Sequence, residues 1–255
     1  MGGALARGLA KGCLIPTSNI YVSNPSIPKL DALKAEFPEI KTSTDNCAIT
    51  TASDIVVLAV KPWKVEEVLN EIKPHLDYSR QAVASMVGGL DIAQLSKWLD
   101  KGNGILPATY LIMPNTAIAT MSSMTFLCSV RSTESMDHQL LDIFNELGKA
   151  MLIDESAMPA ATSLASCGIA YALRYIRAAM EGGVELGIRA DEAKHIVMQT
   201  LRGAVDILES NKSHPEAEID RVTTPGGLTI KGLNAMEAAG FTHSVIEGLR
   251  ASTKR

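Results

Sequence analysis

The most constraining feature of the chain is the run Asp54-Ile-Val-Val-Leu-Ala-Val60, followed at once by Lys61-Pro62. Unbroken apolar character over the length of a strand predicts burial on both faces, as in an open parallel sheet with helices packed above and below. This strand is expected to sit centrally. The surrounding sequence agrees, with further strands predicted at 19–23, 82–87, 108–113, 124–130 and 150–153 and amphipathic helices at 27–36, 65–72, 91–98 and 135–147. Pro28 and Pro62 fall near helix starts, where a missing N–H costs nothing. After Asp154 the strand signal stops, and 158–186, 191–210, 217–222 and 229–249 read as helix. The expected organisation is an α/β domain over 1–153 and an all-helical domain over 154–255.

Composition narrows the classes. With 46% hydrophobic and 20% charged residues among 255, the chain has the balance of a globular protein. A net charge of −4 gives no electrostatic reason to bind nucleic acid. No apolar run approaches the roughly 20 residues that span a bilayer, and the N-terminal residues form no secretory h-region. No membrane partner is expected, and the expected location is the cytoplasm. The four cysteines, Cys13, Cys47, Cys128 and Cys167, lack CxxC spacing and the five histidines are unpaired, so neither a disulfide framework nor a metal site is expected. The helical half carries more apolar surface than so short a bundle can bury. A homodimer interface is the expected sink.

The N-terminal segment Met1-Gly-Gly-Ala-Leu-Ala-Arg-Gly-Leu-Ala10 has helical spacing, yet no strand precedes it. In a dinucleotide fold a first strand ends in a glycine fingerprint, and the helix opens at its last glycine, where free N–H groups hold the pyrophosphate. Gly2 is placed as that last glycine, in a Rossmann-like domain whose first strand is missing. About 20 residues on, where such folds meet the adenosine ribose, stands Ile20-Tyr-Val-Ser-Asn-Pro25. It offers no carboxylate, and Ser23, Asn24, Ser26 and Lys29 suit the extra phosphate of NADPH better than the bare ribose of NADH. Asn46 is a further candidate for the adenosine half, or a helix cap. Ala59, Val60 and Lys61 end a buried strand at the carboxyl edge where open α/β sheets bind ligands.

The helical half contains Arg221-Val-Thr-Thr-Pro-Gly-Gly-Leu-Thr-Ile230, a glycine-rich turn delivered into a helix start. Pro225 fixes one dihedral, and Gly226 and Gly227 permit close backbone approach. Free N–H groups of Gly226, Gly227, Leu228 and Thr229 are expected to cradle a carboxylate, with Thr224 beside them. Glu181 and Glu185, His195, His214 and the methionines read as solvated faces, helix ends and core filler.

These residues resemble the pyrroline-5-carboxylate reductases. The resemblance spans the chain and rests on Val222-Thr-Thr-Pro-Gly-Gly-Leu-Thr-Ile-Lys-Gly-Leu233, Met236-Glu-Ala-Ala-Gly-Phe241, Ala59-Val-Lys-Pro62 and Met113-Pro-Asn-Thr116. It implies reduction of 1-pyrroline-5-carboxylate to L-proline by hydride from NADPH, with NADH as the other candidate donor, in the last step of proline biosynthesis. It further implies a homodimer through the helical domain, in some members a ring of dimers. Carried onto this chain, Gly2, Asn46, Ala59, Val60, Lys61, Pro62, Ser85, Met86, Val87 and Arg221 meet the nucleotide. Glu155, Leu228 and Thr229 meet the imino-acid substrate, Thr229 hydrogen-bonding the imine nitrogen. The chain departs from the family pattern in starting inside the fingerprint, in Leu111 and Ala117, and in Ser166-Cys167-Gly168-Ile169 where the family has Gly-Ser-Gly-Pro. Two other readings stay open: a hydroxy-acid dehydrogenase of the same plan, and an oligomeric scaffold that no longer binds cofactor.

Overall fold

The computed structural model describes residues 1–253, so the last two residues assigned to the second domain lie outside the described part. The chain divides into two compact units, Met1–Ser166 and Cys167 onward.

The first unit opens with helix α1 (Gly2–Lys11), followed by β1 (Tyr21–Ser23), α2 (Ile27–Glu36), β2 (Lys41–Ser43) and α3 (Asn46–Ala52). Then come β3 (Ile55–Leu58), α4 (Val65–Ile72), β4 (Ala82–Ser85), α5 (Ile92–Leu99), β5 (Ala108–Met113), β6 (Ser123–Val130), α6 (Glu134–Glu146) and β7 (Gly148–Leu152). The predicted α2 and α4 have the expected ends. The short β2 and α3 were not expected: Lys-Thr-Ser carries no apolar run, and β2 exists by pairing in parallel with β1.

Strands β3 to β7 form a second sheet in that order. It is mixed rather than purely parallel, because β6 runs antiparallel to β5. The connection from Met113 to Ser123 is too short for a crossover, so the chain must turn back. Side chains alternate between two cores. Leu58, Val83, Leu111 and Phe126 face α4 and α5, whereas Ala84, Tyr110, Ile112 and Leu127 face α1 and α6. The Rossmann-like plan with helices on both faces follows from that double burial.

The middle strand is β5, flanked on one side by β4, which is fully buried along its length; the expected central strand, β3, instead ends this sheet. Among the described residues β3 pairs with β4 alone, and β1 and β2 pair only with each other. Apolarity on both faces reports the layers above and below a strand and says nothing about its lateral neighbours.

The first unit also runs past the boundary expected at Ile153. Met158, in the short α7 (Met158–Ala161), is buried in the core against α4 and α5, and a π-helical segment, Thr162–Cys167, follows. The second unit contains α8 (Gly168–Glu185), α9 (Ala190–Asn211), α10 (Pro215–Val222), α11 (Leu228–Ala238) and α12 (Phe241–Thr253). The single helix expected over 229–249 is two, since Gly240, at φ +82°, ends the first and turns the chain into the second.

Candidate functional site

In the first unit, Leu58 is buried and Ala59 through Pro62 emerge exposed at the carboxyl end of β3. The start of α1 lies against this end. A Cβ built on Gly2 would stand 2.9 Å from the Ala59 Cβ, so only glycine lets the helix approach so closely. Ala4 and Leu5 both donate to the Met1 carbonyl at 2.9 Å, whereas the helix supplies no acceptor for the N–H groups of Gly2 and Gly3. A helix N-terminus with open donors, aimed across a strand end, suits an anion.

The next strand supplies the floor. Ser85, Met86 and Val87 are all buried; Met86 N–H donates to the Leu58 carbonyl at 2.9 Å, and Ser85 Oγ accepts from Val87 N–H at 3.2 Å. At the tip of β1, Ser23 Oγ donates to Asn46 Oδ1 at 2.7 Å, and Asn46 Nδ2 donates to Glu71 Oε2 at 2.9 Å. Asn24 Oδ1 accepts from Ser26 N–H at 2.9 Å. The cap of α3 is Asp45, which accepts from Cys47 and Ala48, so the Asn46 side chain serves the polar chain at β1 instead. Lys61, by contrast, caps the 3₁₀ turn Pro62–Lys64 through its carbonyl, which accepts from Lys64 N–H at 2.9 Å.

The second unit holds the glycine-rich turn. Gly227 N–H donates to the Thr224 carbonyl at 2.9 Å across Pro225 and Gly226, and Gly226 has φ +73°. Proline followed by a positive-φ glycine is the arrangement of a type II turn. At Gly227 a Cβ would meet Thr224 Oγ1 at 2.6 Å and the Thr224 carbonyl at 3.0 Å, so both glycines are required. Gly227 caps α11, whose first residues are Leu228 and Thr229. One correction follows: the Gly227 N–H is consumed by the turn and cannot hold a ligand. The donors left to the first turn of α11 are those of Leu228, Thr229 and Ile230. Thr223 is turned away, its hydroxyl donating to the Ile219 carbonyl at 3.0 Å. Arg221 is held at 2.6 Å by Glu218, whose carboxyl lies below its usual range because Ser213, Asn211 and Arg221 all donate to it.

Glu155 lies in the first unit, where its Oε1 accepts from Ile92 N–H at 2.7 Å and so satisfies a donor in the first turn of α5. It borders a cavity of about 460 Å³ with Cys128, Ser129, Leu152 and Asp154. Burial, then the carboxylates of Glu155 and Asp154, push the Cys128 thiol up, which disfavours the thiolate. His214 caps α10, its Nδ1 accepting from Glu216 N–H at 3.2 Å. Asp45, Cys47 and Glu71 bring ligand-type atoms within 4.8 Å of one another, but Asp45 is engaged in capping and Glu71 in holding Asn46. Asn115 is a structural anchor that carries no signal in the sequence. Its partners lie far along the chain, so no local pattern exposes them.

Two family models match: pyrroline-5-carboxylate reductase dimerisation over residues 155–255, and NADP oxidoreductase, coenzyme F420-dependent, over residues 1–88. Pyrroline-5-carboxylate reductase 2 of Dictyostelium discoideum is 34% identical over all of this chain and 88% of its own length. Pyrroline-5-carboxylate reductase 1 of the same organism is 36% identical, but this chain spans only 47% of it. The crystal structure of Plasmodium falciparum pyrroline carboxylate reductase with NADP bound superposes with a TM-score of 0.87 at 30% identity, covering 99% of this chain and 92% of that one. On the strength of these matches across both units, the chain belongs to the pyrroline-5-carboxylate reductase family.

Proposed function

We propose that the chain reduces 1-pyrroline-5-carboxylate to L-proline with NADPH, holding the nucleotide at the α1–β3 edge and the ring at the turn over 224–229. The observation that carries this reading is that turn. Two sterically required glycines and a proline deliver α11 with open N–H groups at Leu228 and Thr229, a fit for a carboxylate. Gly2, Ala59, Val60, Lys61 and Pro62 border the proposed nucleotide groove, with Ser85, Met86 and Val87 as its floor. Ser23, Asn24 and Asn46 lie at its adenosine end. That β1 tip carries neutral side chains, which favours the 2′-phosphate of NADPH over NADH.

When bound, the reduced nicotinamide supplies a hydride to the imine carbon. The π electrons of the C=N bond then pass to nitrogen, which retains its iminium proton, so no strong protein acid is required. Thr229 is assigned to hydrogen-bond that nitrogen, and the amides of α11 to hold the carboxylate, so the chain acts mainly by alignment. Arg221, just upstream of the turn and fixed by Glu218, is assigned to the nucleotide. Glu155 supports α5 by accepting from Ile92 N–H at Oε1, and it is retained as a candidate contact to the substrate. The exposed apolar side chains of the helical unit, Leu173, Ile196 and Ile207 among them, support assembly as a homodimer, from which rings of dimers can be built.

The test is NADPH oxidation by the purified chain with pyrroline-5-carboxylate, with proline identified as product. Thr229→Ala is expected to lower turnover roughly a hundredfold while NADPH affinity changes by less than about twofold. Unchanged turnover at saturating substrate removes Thr229 from the mechanism, and no turnover by the wild type at all removes the reading.

A further inference from the structure

Asn115 sits in the Met113-Pro-Asn-Thr116 motif, in the turn that leaves β5, and is only 6% exposed. Its Oδ1 accepts from Ala117 N–H at 3.0 Å and caps the 3₁₀ turn Thr116–Thr120. Its Nδ2 donates to the Ala165 carbonyl at 3.3 Å, and its own N–H donates to Ser123 Oγ at 3.2 Å. The reciprocal bond also exists: Ser166 Oγ donates to the Pro114 carbonyl at 3.3 Å. Two neighbouring residues are thus tied to two others some fifty positions along the chain.

The segment receiving these bonds is the π-helical stretch Thr162–Cys167. A π segment is a rare, strained insertion in which i→i+5 bonding displaces the normal ladder. It persists where outside partners hold it, and here a buried amide and a serine hydroxyl do so. On its other side, Asn115 caps the turn containing the fully buried Ile118, which packs with Leu5 of α1. The Ile118 carbonyl lies 3.5 Å from where a Cβ on Gly8 would stand. One side chain therefore links the backing of the proposed nucleotide-binding helix to the last turn before Cys167.

Relaxation of the π segment to α would change by about one residue the helical register at which α8 begins. The turn over 224–229, proposed to hold the ring, follows that point. We propose that Asn115 is a positioning residue for hydride transfer, pinning the π segment that immediately precedes α8. This rests on the proposed reaction. It adds a determinant of turnover that touches neither substrate nor cofactor.

The experiment compares the full-length wild type with Asn115→Ala, Asn115→Asp, Ser166→Ala and the Asn115→Ala/Ser166→Ala double variant. Measured are kcat, KM, the isotope effect with NADPH deuterated at the transferred position, NADPH affinity by calorimetry, and hydrogen exchange of the amides at 163–168. Asn115→Asp keeps the acceptor for Ala117 and loses the donor to Ala165, so it isolates the clamp. Expected are a kcat roughly tenfold lower in both Asn115 variants, a smaller loss in Ser166→Ala, and an isotope effect on kcat above the wild-type value. NADPH affinity stays within about twofold. Exchange at 163–168 is faster, and the double variant is no worse than Asn115→Ala because both bonds act on one segment. Wild-type kcat and isotope effect in Asn115→Asp and Ser166→Ala overturn the proposal, as does a loss that only tracks the folded fraction. If Asn115→Ala does not fold, Asn115→Asp and Ser166→Ala decide. Failure of the wild type to reduce pyrroline-5-carboxylate defeats the proposed function, and the proposal that rests on it, and is distinct from an active wild type with indifferent variants.

Discussion

The two units reach stability by different routes. The first buries leucine, isoleucine and valine on both faces of a five-stranded sheet, with Val65, Leu69, Val83, Leu95, Tyr110 and Ile112 withdrawn from solvent altogether. In the second, Ala193 is the single buried apolar residue among the described residues, while Leu173, Ile196, Val205, Ile207 and Phe241 stand exposed. The first unit therefore has its own core, and the second exposes the apolar surface that the proposed homodimer would cover. The helices of the two units differ in what covers them: α4, α5 and α6 each bury one face in the first core, whereas α8 and α11 have no fully buried residue.

The largest expected effect breaks the second unit without touching the first. Leu173→Asp places a charge on the exposed face of α8, and burying it unpaired in a dimer would cost about 3–5 kcal/mol. The variant is expected to sediment as a monomer and to lose most turnover while still binding NADPH. A dimer of unchanged mass would show that this face is not the one covered. Gly2→Ala asks the opposite question. Its methyl must occupy space 2.9 Å from the Ala59 Cβ, an overpacking worth about 1–3 kcal/mol, so NADPH affinity should fall about tenfold with dimerisation intact. Equal affinity in calorimetry would detach Gly2 from the nucleotide edge.

The smallest effect sharpens the account of the first core. The Tyr78 hydroxyl donates to the Leu99 carbonyl, and burial, then the charge of Asp100, push its pKa up to about 12 from 10. Because the folded state holds this proton more tightly, the phenol's contribution is complete below pH 10 and is lost as pH rises from 10 to 12. Tyr78→Phe should cost about 1 kcal/mol near neutrality. The gap between wild type and variant should close across that alkaline window in thermal unfolding, and a gap independent of pH would refute the assignment.

What could be read in advance follows the same division. Helices α2 and α4 and the two-faced strands were legible because apolar spacing records burial within one chain. The Thr224 to Gly227 turn was legible because proline and glycine encode dihedral angles locally. By contrast, β2 was hidden, since Lys-Thr-Ser acquires strand character only from its partner β1. The edge position of β3 was hidden because faces, not neighbours, leave a trace in sequence. The loss of the Gly227 N–H to the turn required backbone geometry. Asn115 and Glu155 act on carbonyls and amides distant in sequence, whose identity no side-chain pattern reveals.

Trp63 is 76% exposed, directly after Pro62 at the end of the proposed nucleotide edge, whereas Trp98 is partly buried against the core in α5. The molecule thus carries an unlabelled optical gauge and its own reference: an occupant of that edge would dry the first indole and shift its emission, while the second should stay constant.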